Sequence, residues 1–487
     1  MTCLTKSELL KTDMYQHQID AVEKMRRIRV GALYMEMGTG KTRAALELAA
    51  RRIETGKVKK VLWLCPCSVK ATIKRELDKH ATQELKSKID IYGIESLSGS
   101  TKLYLKLMNT AMKTPTFLIV DESNLVKNPR ARRSVRIQSL SEITKYKLIL
   151  NGTPISKNMA DLYSQWRILD WRILGFKSYY TFANKHIQYD NRIRGRVKKI
   201  IHSEEILNKI APYSFQVRKS ECVDLPPKTY SERSFSLTTR QRSHYERIKD
   251  VFLRDIDELR PSTIYRLFTA VQHVVCGRRI TSEENEAMKT EPFFQDPRDN
   301  PRVQLLLDLI SQTDGKIIIW CRYTHEIDTL SELLTEEYGA GSAVKFFGAL
   351  KLKERETSII SFSTQARFFV ANKVCAGYGL NLQFCNFMIY YSNDWDWATR
   401  AQSEDRVHRI GQTGNVHIID ISANRTIDDR ILKCLQKKEN MVESFKSNLE
   451  EKKFDIGKWL DGVAVRGEGG KKDAEKLFEQ KRIRSRN

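Results

Sequence analysis

Short apolar runs rich in β-branched and aromatic residues alternate along this chain with longer amphipathic stretches. In the first half, strands are predicted over 61–65, 117–120 and 146–150. In the second half, strands are predicted over 316–321, 344–347, 367–371, 386–391 and 415–421. Alternation of short buried strands with helical stretches is typical of parallel sheets covered by helices. Both halves are therefore predicted to be α/β.

A long mixed region separates the two halves. Over 171–300 the chain has helical patterns at 204–210 and 239–259, with Pro226 and Pro227 between them. Because proline interrupts regular structure, this pair is predicted to mark the hinge between two lobes. Near the end of the chain the pattern loosens, and the tail is basic and contains glycine. The tail is either a solvated, partly disordered end or a DNA-binding arm, and both interpretations stay open.

The charge balance of the chain gives information about its binding partner and not about its fold. The chain carries 84 Lys and Arg against 60 Asp and Glu, a net charge of +24. Such a balance predicts a polyanionic partner, with nucleic acid ahead of an anionic membrane. The longest apolar runs fall far short of the ~20 residues that a membrane-spanning helix needs, and the N-terminus lacks the apolar segment of a secretory signal. We expect a cytoplasmic protein with no membrane partner.

The cysteines favour a reducing compartment. There are nine, an odd number, and they are scattered along the chain, which argues against a disulfide framework. The close pair Cys65 and Cys67 lacks the second pair that would complete a zinc site. We interpret these two as small residues at a strand end and predict no structural zinc.

The segment 31–42, GALYMEMGTGKT, has an apolar beginning, a glycine turn and then a helix-forming stretch. In such a turn, backbone N–H groups and the helix N-terminus point at phosphate oxygens. Lys41 would reach the β- and γ-phosphates, and Thr42 would ligate Mg²⁺. Met35 stands where the general phosphate-loop pattern has its first glycine, and a chance glycine-rich turn is the alternative. The predicted nucleotide-binding residues are Met37, Gly38, Thr39, Gly40, Lys41 and Thr42.

An acidic pair, Asp121 and Glu122, directly follows the apolar run 117–120. A phosphate-loop protein needs one carboxylate there to hold the metal and another to polarise the attacking water. We assign the first role to Asp121 and the second to Glu122. An acidic pair in a loop is usually only solvated, but a pair after a buried strand and downstream of Lys41 favours catalysis. The two motifs together predict nucleotide hydrolysis.

The segment 402–412, QSEDRVHRIGQ, carries two arginines three residues apart. On a helix, Arg406 and Arg409 share one face, and both could reach a nucleotide held by the other lobe, where an arginine stabilises transition-state charge. The alternative is a salt-bridged surface helix, because Glu404 and Asp405 are adjacent. The spacing alone leaves both interpretations open.

The order of these segments resembles that of superfamily 2 helicases of the Swi/Snf branch, the chromatin-remodeller-like DNA translocases. The resemblance covers about 17–431. Gln18, in the sequence HQIDAV, is similar to the Q-motif glutamine, which implies that it reads adenine. The sequence DESN, followed by Lys127, resembles the remodeller form of motif II.

Other first-lobe segments fit the same family. Lys74, after the sequence LCP, lies in a segment similar to motif Ia, which implies a contact with the DNA backbone. The sequence NGTPI resembles motif III, which implies that Gly152, Thr153 and Pro154 couple hydrolysis to movement.

The second half continues the resemblance. Gly379, in CAGYGLNL, lies in a segment similar to motif V and is implied to contact the nucleotide. Gln402 begins motif VI and is implied to be catalytic with Arg406 and Arg409. The ending HRIGQ is particular to this branch.

The resemblance implies an α/β fold of two RecA-like lobes, which are P-loop NTPase units with parallel sheets covered by helices. The implied lobe 1, the ATP-binding helicase domain, covers 1–228 with a helical extension over 171–228. A helical linker region over 229–300 precedes lobe 2, the helicase C-terminal domain, over 301–440. A basic C-terminal tail covers 441–487.

A motor must step over any sequence, so phosphate contacts by lysine and arginine should dominate its binding to nucleic acid. Part of the predicted set lies in the basic stretch 191–200, which could also be an exposed loop without a role. The candidates are Lys70, Lys74, Lys127, Arg130, Arg194, Arg196, Lys198 and Lys199.

We therefore predict an ATP-dependent DNA motor that uses ATP and Mg²⁺ and acts on double-stranded or branched DNA. One chain holds both halves of the predicted ATP site, so a monomer should suffice, as in the stand-alone motors of phages and bacteria that the chain resembles. A strand-separating helicase for forks or junctions has the same motifs and is the closest alternative. An RNA helicase and a non-catalytic nucleic-acid-binding scaffold are disfavoured, the first by motifs II and VI and the second by the intact catalytic residues.

Overall fold

The computed structural model describes residues 5–152, 160–189, 197–222, 225–254, 261–281, 288–373, 380–438, 441 and 460–462. The chain divides into two compact units, and the boundary between them falls between Leu225 and Pro226. Of the described residues beyond that boundary, Leu380 and Asn381 group with the first unit. The boundary lies next to the proline pair at which the sequence predicts a hinge.

The described strands of the first unit are β1 (Val30–Met35), β2 (Lys60–Cys65), β3 (Ile89–Gly93), β4 (Thr116–Val120), β5 (Tyr146–Asn151), β6 (Ile187–Tyr189), β7 (Val197–Ile200) and β8 (Ser214–Val217). Six of them form a parallel sheet in the order β3-β2-β4-β5-β1-β8. The other two, β6 and β7, form an antiparallel pair.

Helices cover both faces of this sheet. They are α1 (Gln16–Arg26), α2 (Lys41–Glu54), α3 (Lys70–His80), α4 (Gln83–Ser87), α5 (Ser96–Gly99), α6 (Thr101–Lys113), α7 (Arg132–Glu142), α8 (Ala160–Leu174), α9 (Tyr179–His186), α10 (Ser203–Ile210) and α11 (Lys219–Cys222).

The central strands are apolar throughout because both faces of the sheet are covered. Successive side chains of β2 point to opposite faces, as strand geometry requires. Val61 and Trp63 pack into the apolar cluster that contains α2, whereas Leu62 and Leu64 pack into the cluster that contains α8. The sheet therefore has an apolar layer on each side, and its strand ends are left for polar residues.

The described strands of the second unit are β9 (Lys228–Phe235), β10 (Arg278–Ile280), β11 (Thr290–Pro292), β12 (Ile317–Cys321), β13 (Ala343–Phe346), β14 (Phe368–Asn372), β15 (Phe387–Tyr390) and β16 (Val416–Ala423). Six of them form a second parallel sheet in the order β13-β14-β12-β15-β16-β9, and β10 pairs with β11 in an antiparallel hairpin. The helices are α12 (Thr239–Arg254), α13 (Pro261–Val275), α14 (Pro301–Ser311), α15 (Thr324–Tyr338), α16 (Leu352–Thr364), α17 (Trp397–Glu404) and α18 (Ile427–Lys437).

The predicted fold class is confirmed, since each half is a parallel α/β unit and all eight predicted strands are present within a residue or two of the predicted bounds. The region 229–300 differs from the predicted helical linker. Its first residues form β9, which pairs with β16 over eight residues at the edge of the second sheet, and α12 and α13 pack into the core of that unit. The sequence of β9 is polar because six of its residues are exposed, so it lacks the apolar pattern of a buried strand.

The predicted helical extension over 171–228 is also mixed, because β8 from this region joins the first sheet beside β1. Within the described parts of the chain, no helix has both the length and the apolar character needed to cross a lipid bilayer.

Candidate functional site

Three neighbouring strands of the first sheet end at the same edge and carry the predicted catalytic segments. The order β4-β5-β1 places the ends of these strands side by side. The glycine turn follows β1, the acidic pair follows β4, and Gly152 follows β5. Because the carboxyl ends of parallel strands share one edge, these segments meet there, as ligand sites in α/β sheets do.

Two glycines make the turn between β1 and α2 possible. Gly38 and Gly40 both have left-handed backbone conformations, with φ of 84° and 79°, which glycine adopts without a steric penalty. A Cβ atom on Gly40 would lie 2.2 Å from Nε2 of Gln18. The backbone conformation therefore favours glycine, and a side chain there would also displace the Gln18 amide. Helix α2 begins at the next residue, Lys41.

Two residues in the first turn of α1 form hydrogen bonds with the backbone of the glycine turn. Nε2 of His17 donates to the carbonyl oxygen of Thr39 at 2.7 Å, and Nε2 of Gln18 donates to the same oxygen at 3.2 Å. Oε1 of Gln18 accepts from the backbone N–H of Tyr15 at 3.1 Å. The predicted adenine-reading glutamine thus has its amide engaged in fixing the turn. His17, which the sequence did not single out, makes the shorter of the two bonds.

Lys41 lies between the acidic pair and β5. Its Nζ is 3.2 Å from Oε1 of Glu122, and both side chains are largely buried, at 12% and 18% exposed. A Cβ atom on Gly152 would lie 4.0 Å from Nζ of Lys41 and 3.4 Å from Cγ of Met37. The ammonium group therefore sits in a narrow space bordered by a carboxylate and by bare backbone.

Asp121 is buried, at 3% exposed. Burial raises the pKa of its carboxyl to about 6 against the opposing charge of Lys41, and the nearby carboxylate of Glu122 raises it further. Oδ1 of Asp121 accepts from the backbone N–H of Glu122 at 2.9 Å. Ionisation of this buried carboxyl is unfavourable unless a cation lies beside it. Such a carboxylate is well suited to bind a metal ion.

Glu122 has an unusual backbone for a non-glycine residue. Its φ is 48°, in the left-handed region that costs an L-residue roughly 1–2 kcal/mol. Such strain is found where function requires an orientation. Here it accompanies the approach of the Glu122 carboxylate to Lys41.

The predicted DNA-contacting lysines and arginines of the first unit lie in different settings. Lys74 is exposed on α3, and Lys70 is half-buried at the start of that helix. Lys127 pairs with Asp161 at 3.3 Å. Arg130 donates to the hydroxyl of Tyr180, and its guanidinium lies over that ring. Three of these predicted residues therefore have partial burial or a protein partner.

Several predicted site residues lie outside the described parts of the chain, and their roles stay predictions. They are Thr153, Pro154, Arg194, Arg196 and Gly379, together with the side chains of Lys198 and Lys199.

The predicted helix that carries Arg406 and Arg409 is wrong in its extent. Helix α17 ends at Glu404, so Gln402 is helical but the two arginines follow in a turn. The N–H of Arg409 donates to the carbonyl of Val407 at 3.1 Å, which is incompatible with a continuing helix. The helix stops because the chain is held by other contacts: Nε2 of His408 donates to the carbonyl of Pro226 at 2.9 Å.

Glu404 is not part of a salt-bridged surface helix. It is 1% exposed, and its carboxylate accepts from Nε of Arg400 at 2.9 Å, Nζ of Lys228 at 2.9 Å and the hydroxyl of Tyr230 at 2.7 Å. Paired cations hold the pKa of Glu404 below its usual range in spite of burial. The Glu404 side chain links α17 to β9. The alternative of a salt-bridged surface helix is therefore wrong for Glu404.

The second unit also contains a buried lysine that sequence reasoning missed. Lys373 follows β14, is 2% exposed, and its Nζ lies 3.4 Å from Oδ1 of Asn393. Burial lowers its pKa to about 7 against the attraction of Asp394. Its position two residues after the predicted strand 367–371 was the only sequence signal.

Comparisons with known proteins agree with the geometry of the first unit. Residues 17–276 match the family of the SNF2-related domain, and residues 301–411 match the helicase conserved C-terminal domain. The chain is 23% identical over 470 residues to the uncharacterized ATP-dependent helicase YqhH of Bacillus subtilis, an alignment that covers 89% of this chain and 80% of that protein.

A longer relative is the chromodomain-helicase-DNA-binding protein 1-like of Danio rerio, which is 24% identical over 499 residues. That alignment covers 93% of this chain but only 46% of the relative, so the chain spans less than half of it. Among solved structures, the chain is similar to the SWI2/SNF2 ATPase core of Sulfolobus solfataricus in complex with double-stranded DNA. The identity is 22%, the TM-score is 0.41, and the match covers 96% of this chain and all of the other.

Proposed function

This chain belongs to the SNF2-related family, and from that premise we propose that it is an ATP-dependent motor that hydrolyses ATP and translocates on or remodels DNA. The observation that carries the proposal is the group of Lys41, Glu122 and buried Asp121 at one edge of the first sheet. It combines a cation for phosphate, a carboxylate for water and a carboxylate for a metal ion.

The residues present fit ATP with Mg²⁺. The left-handed Gly38 and Gly40 shape the turn after β1. Burial raises the pKa of the Asp121 carboxyl although Lys41 opposes this, so a cation bound beside it would stabilise its ionised form. Asp121 and the hydroxyl of Thr42 would hold the metal, and Lys41 and the glycine turn would hold the phosphates. When bound, Mg²⁺ and ATP supply a Lewis acid and the phosphoryl group.

Lys41 and Glu122 are proposed to exchange partners during the reaction. The ammonium group pairs with Glu122 at 3.2 Å, and a phosphate would compete for it. Transfer of Lys41 to the phosphate side leaves the Glu122 carboxylate free to accept a proton from the attacking water. The same pair would therefore hold the site inactive when no phosphate is present.

DNA is proposed as the track because of charge. A net charge of +24 favours a polyanion, and named relatives include a DNA-binding helicase. Contacts to phosphates by residues such as Lys70 and Lys74 would make binding independent of sequence. Branched DNA and function as a monomer belong to the same proposal.

Arg406 and Arg409 are proposed to stabilise the negative charge that develops on the phosphoryl group in the transition state. Gln402 is proposed to act in catalysis with them, and Gly379 to contact the nucleotide. Gly152, Thr153 and Pro154 are proposed to link hydrolysis to movement. Support comes from their places in the two matched families.

The ATPase rate of the full chain with blunt duplex, forked DNA, single-stranded DNA and RNA tests the proposal. We expect strong stimulation by DNA, none by RNA, and no activity in Glu122→Gln. Displacement of a third strand from a DNA triplex, without loss of the underlying duplex, would indicate translocation. Separation of a fork's strands would favour the helicase alternative, and equal stimulation by RNA would contradict the assignment.

A further inference from the structure

A basic pocket lies on the surface of the second unit. It has a volume of about 240 Å³ and is lined by Arg240, Ser243, His244, Arg247, Arg279 and Phe293. Among the described residues that line it, three of six are arginines and none is acidic. Neither the predicted site residues nor the motifs of the family resemblance include any of them.

The pocket is built by one helix and one hairpin. Arg240, Ser243 and Arg247 are three and four residues apart on α12, so they lie on one face. Arg279 comes from β10, and Phe293 directly follows β11, where its N–H donates to the carbonyl of Gly277 at 2.9 Å. The arrangement therefore depends on two elements that are distant in the sequence.

A buried histidine joins these two elements. Nε2 of His244, on α12, accepts from the backbone N–H of Ile280, on β10, at 3.3 Å. Burial and the charges of Arg247 and Arg279 lower the pKa of His244. The neutral ring therefore acts as a structural acceptor, and the positive charge of the pocket comes from the arginines.

The arginines retain N–H donors for an anion. Nη2 of Arg247 lies 3.1 Å from Nδ1 of His244, but a guanidinium has five N–H donors, so this contact does not use the whole group. Arg279 pairs with Glu291 at 3.0 Å, but both side chains are about half exposed, so this pair is weak in water. Within the described residues, neither Arg240 nor Arg247 forms an ion pair. Phosphate is the anion for which converging guanidinium groups are best suited, because they donate in a planar fork.

An aromatic ring forms one wall. Phe293 is half-buried. The guanidinium of Arg240 lies 5.9 Å from the centroid of its ring, and the ring of His244 lies 5.8 Å from the same centroid. Proteins that bind single-stranded nucleic acid combine positively charged residues with aromatic rings. The positive charges contact the phosphates, and the bases stack on the rings.

The helix that carries the pocket is fixed to the ligand-binding edge of its sheet. Arg242 of α12 donates to the carbonyls of Asn424 and Arg425 at 2.7 Å each, and these residues directly follow β16. Ligands of α/β sheets bind outside the carboxyl ends of the strands. A strand that follows this edge would therefore pass close to α12.

We propose that this pocket binds one nucleotide of an unpaired DNA strand, with the phosphate between Arg247 and Arg279 and the base against Phe293. The inference rests on the proposed function and narrows it toward DNA that contains single-stranded segments. Duplex DNA is disfavoured as the occupant because its bases are stacked inside the helix and cannot reach the ring.

The test compares the full chain with three variants: Arg247→Ala/Arg279→Ala, Phe293→Leu, and the matched control Arg233→Ala/Arg266→Ala, which removes two exposed arginines of the same unit. We expect the pocket double variant to weaken binding of a single-stranded oligonucleotide about 10-fold, as charge-assisted contacts would, and Phe293→Leu to weaken it about 5-fold, as a lost stack would. Blunt-duplex affinity and the control should stay within about 2-fold of the wild type, because duplex binding would not use this pocket.

Crosslinking supplies a readout that does not depend on the variants. A single-stranded oligonucleotide that carries 5-iododeoxyuridine should crosslink to Phe293 after illumination, and the adduct is identified by mass spectrometry. Competition by inorganic phosphate or a mononucleotide as effective as the oligonucleotide would indicate a free-nucleotide site and overturn the proposal. Equal losses on duplex and single strand, or an adduct confined to other residues, would also overturn it.

The two hypotheses fail separately. If duplex stimulates ATP hydrolysis but the pocket variants bind single strands normally, only the pocket proposal is wrong. If no DNA stimulates hydrolysis in the wild type, the proposed function is wrong whatever the pocket binds.

Discussion

The carboxyl edges of the two parallel sheets carry charged residues in different ways. In the first unit, Lys41 and Glu122 form an ion pair whose side chains are largely buried, at 12% and 18% exposed. In the second unit, Arg400 is buried and donates to both Asp420, at 2.6 and 3.0 Å, and Glu404. The first edge has a pair that a ligand could take over, whereas the second has a closed network.

The difference follows from burial and the number of partners, since Arg400 and Glu404 are only 5% and 2% exposed. A phosphate that replaced the partner carboxylate would leave Lys41 paired. Removal of Arg400, in contrast, would leave buried Glu404 with one cation fewer and expose the cost of its desolvation. Arg302 and Asp428 form a second buried pair of this kind in the second unit. One edge is therefore suited to reaction, and the other mainly to keeping its segments in position.

The largest expected effect is on the first edge. Lys41→Ala should lower ATP turnover at least about 1000-fold, because it removes the charge that neutralises the phosphates, while Glu122→Gln should retain ATP without hydrolysing it. Turnover and nucleotide binding are measured on the same samples, with Lys59→Ala as a surface control. An ATP turnover rate near that of the wild type in either variant would contradict the assignment of Lys41 and Glu122 to the catalytic site.

The second edge should respond in stability. Arg400→Met leaves Asp420 and Glu404 buried with fewer partners, so we expect a loss of about 3–5 kcal/mol in unfolding free energy. Arg233→Met, on the exposed face of β9, is the matched control and should change stability by less than about 0.5 kcal/mol. Denaturant unfolding measures both. Equal stability of the two variants would show that the network of Arg400, Asp420 and Glu404 does not stabilise the folded protein.

Arg406 and Arg409 test whether the second unit also takes part in catalysis. Each change to Ala should lower DNA-stimulated turnover about 100-fold or more, because transition-state charge is lost, while DNA binding and ATP affinity stay nearly unchanged. The ATPase rate with and without saturating duplex, beside a binding assay, measures this. Full DNA stimulation in both variants would restrict the second unit to a structural or DNA-binding role.

The smallest effect concerns Asp121 and pH. Its pKa of about 6 lies above the ordinary 3.8, so the native state holds a proton that the unfolded chain releases between these values. Its contribution to stability is present below about pH 4 and lost as the pH rises through 6. Without nucleotide, Asp121→Asn should therefore stabilise the protein by about 1–3 kcal/mol at pH 7.5.

Unfolding of Asp121→Asn and of the wild type at pH 7.5 and pH 5 checks the sign of this effect. The gain should shrink at the lower pH, because the wild-type carboxyl is then largely protonated. A gain that is the same at both values would mean that the side chain's shape, and not its charge, is responsible.

Much of the first site was predictable because its residues are adjacent in sequence. Gly38, Gly40 and Lys41 belong to one turn, and Asp121 and Glu122 follow one apolar strand, so local pattern was sufficient. His17 was not predicted as a partner of Thr39, because a bond across 22 residues leaves no periodic signal. The full extent of α17 was overestimated for a related reason: the contact of His408 with Pro226 competes with helix continuation.

The sequence by itself determined the α/β class, eight of the described strands and the chemistry of the glycine turn and acidic pair, since these depend on hydrophobic pattern and neighbouring residues. Only the tertiary structure decided that β9 completes the second sheet, that Lys41 pairs with Glu122, and that three arginines line one pocket with Phe293. These features depend on strand pairing, burial and charge between residues far apart in the chain. Their free energies arise only when the chain is folded, so no local pattern encodes them.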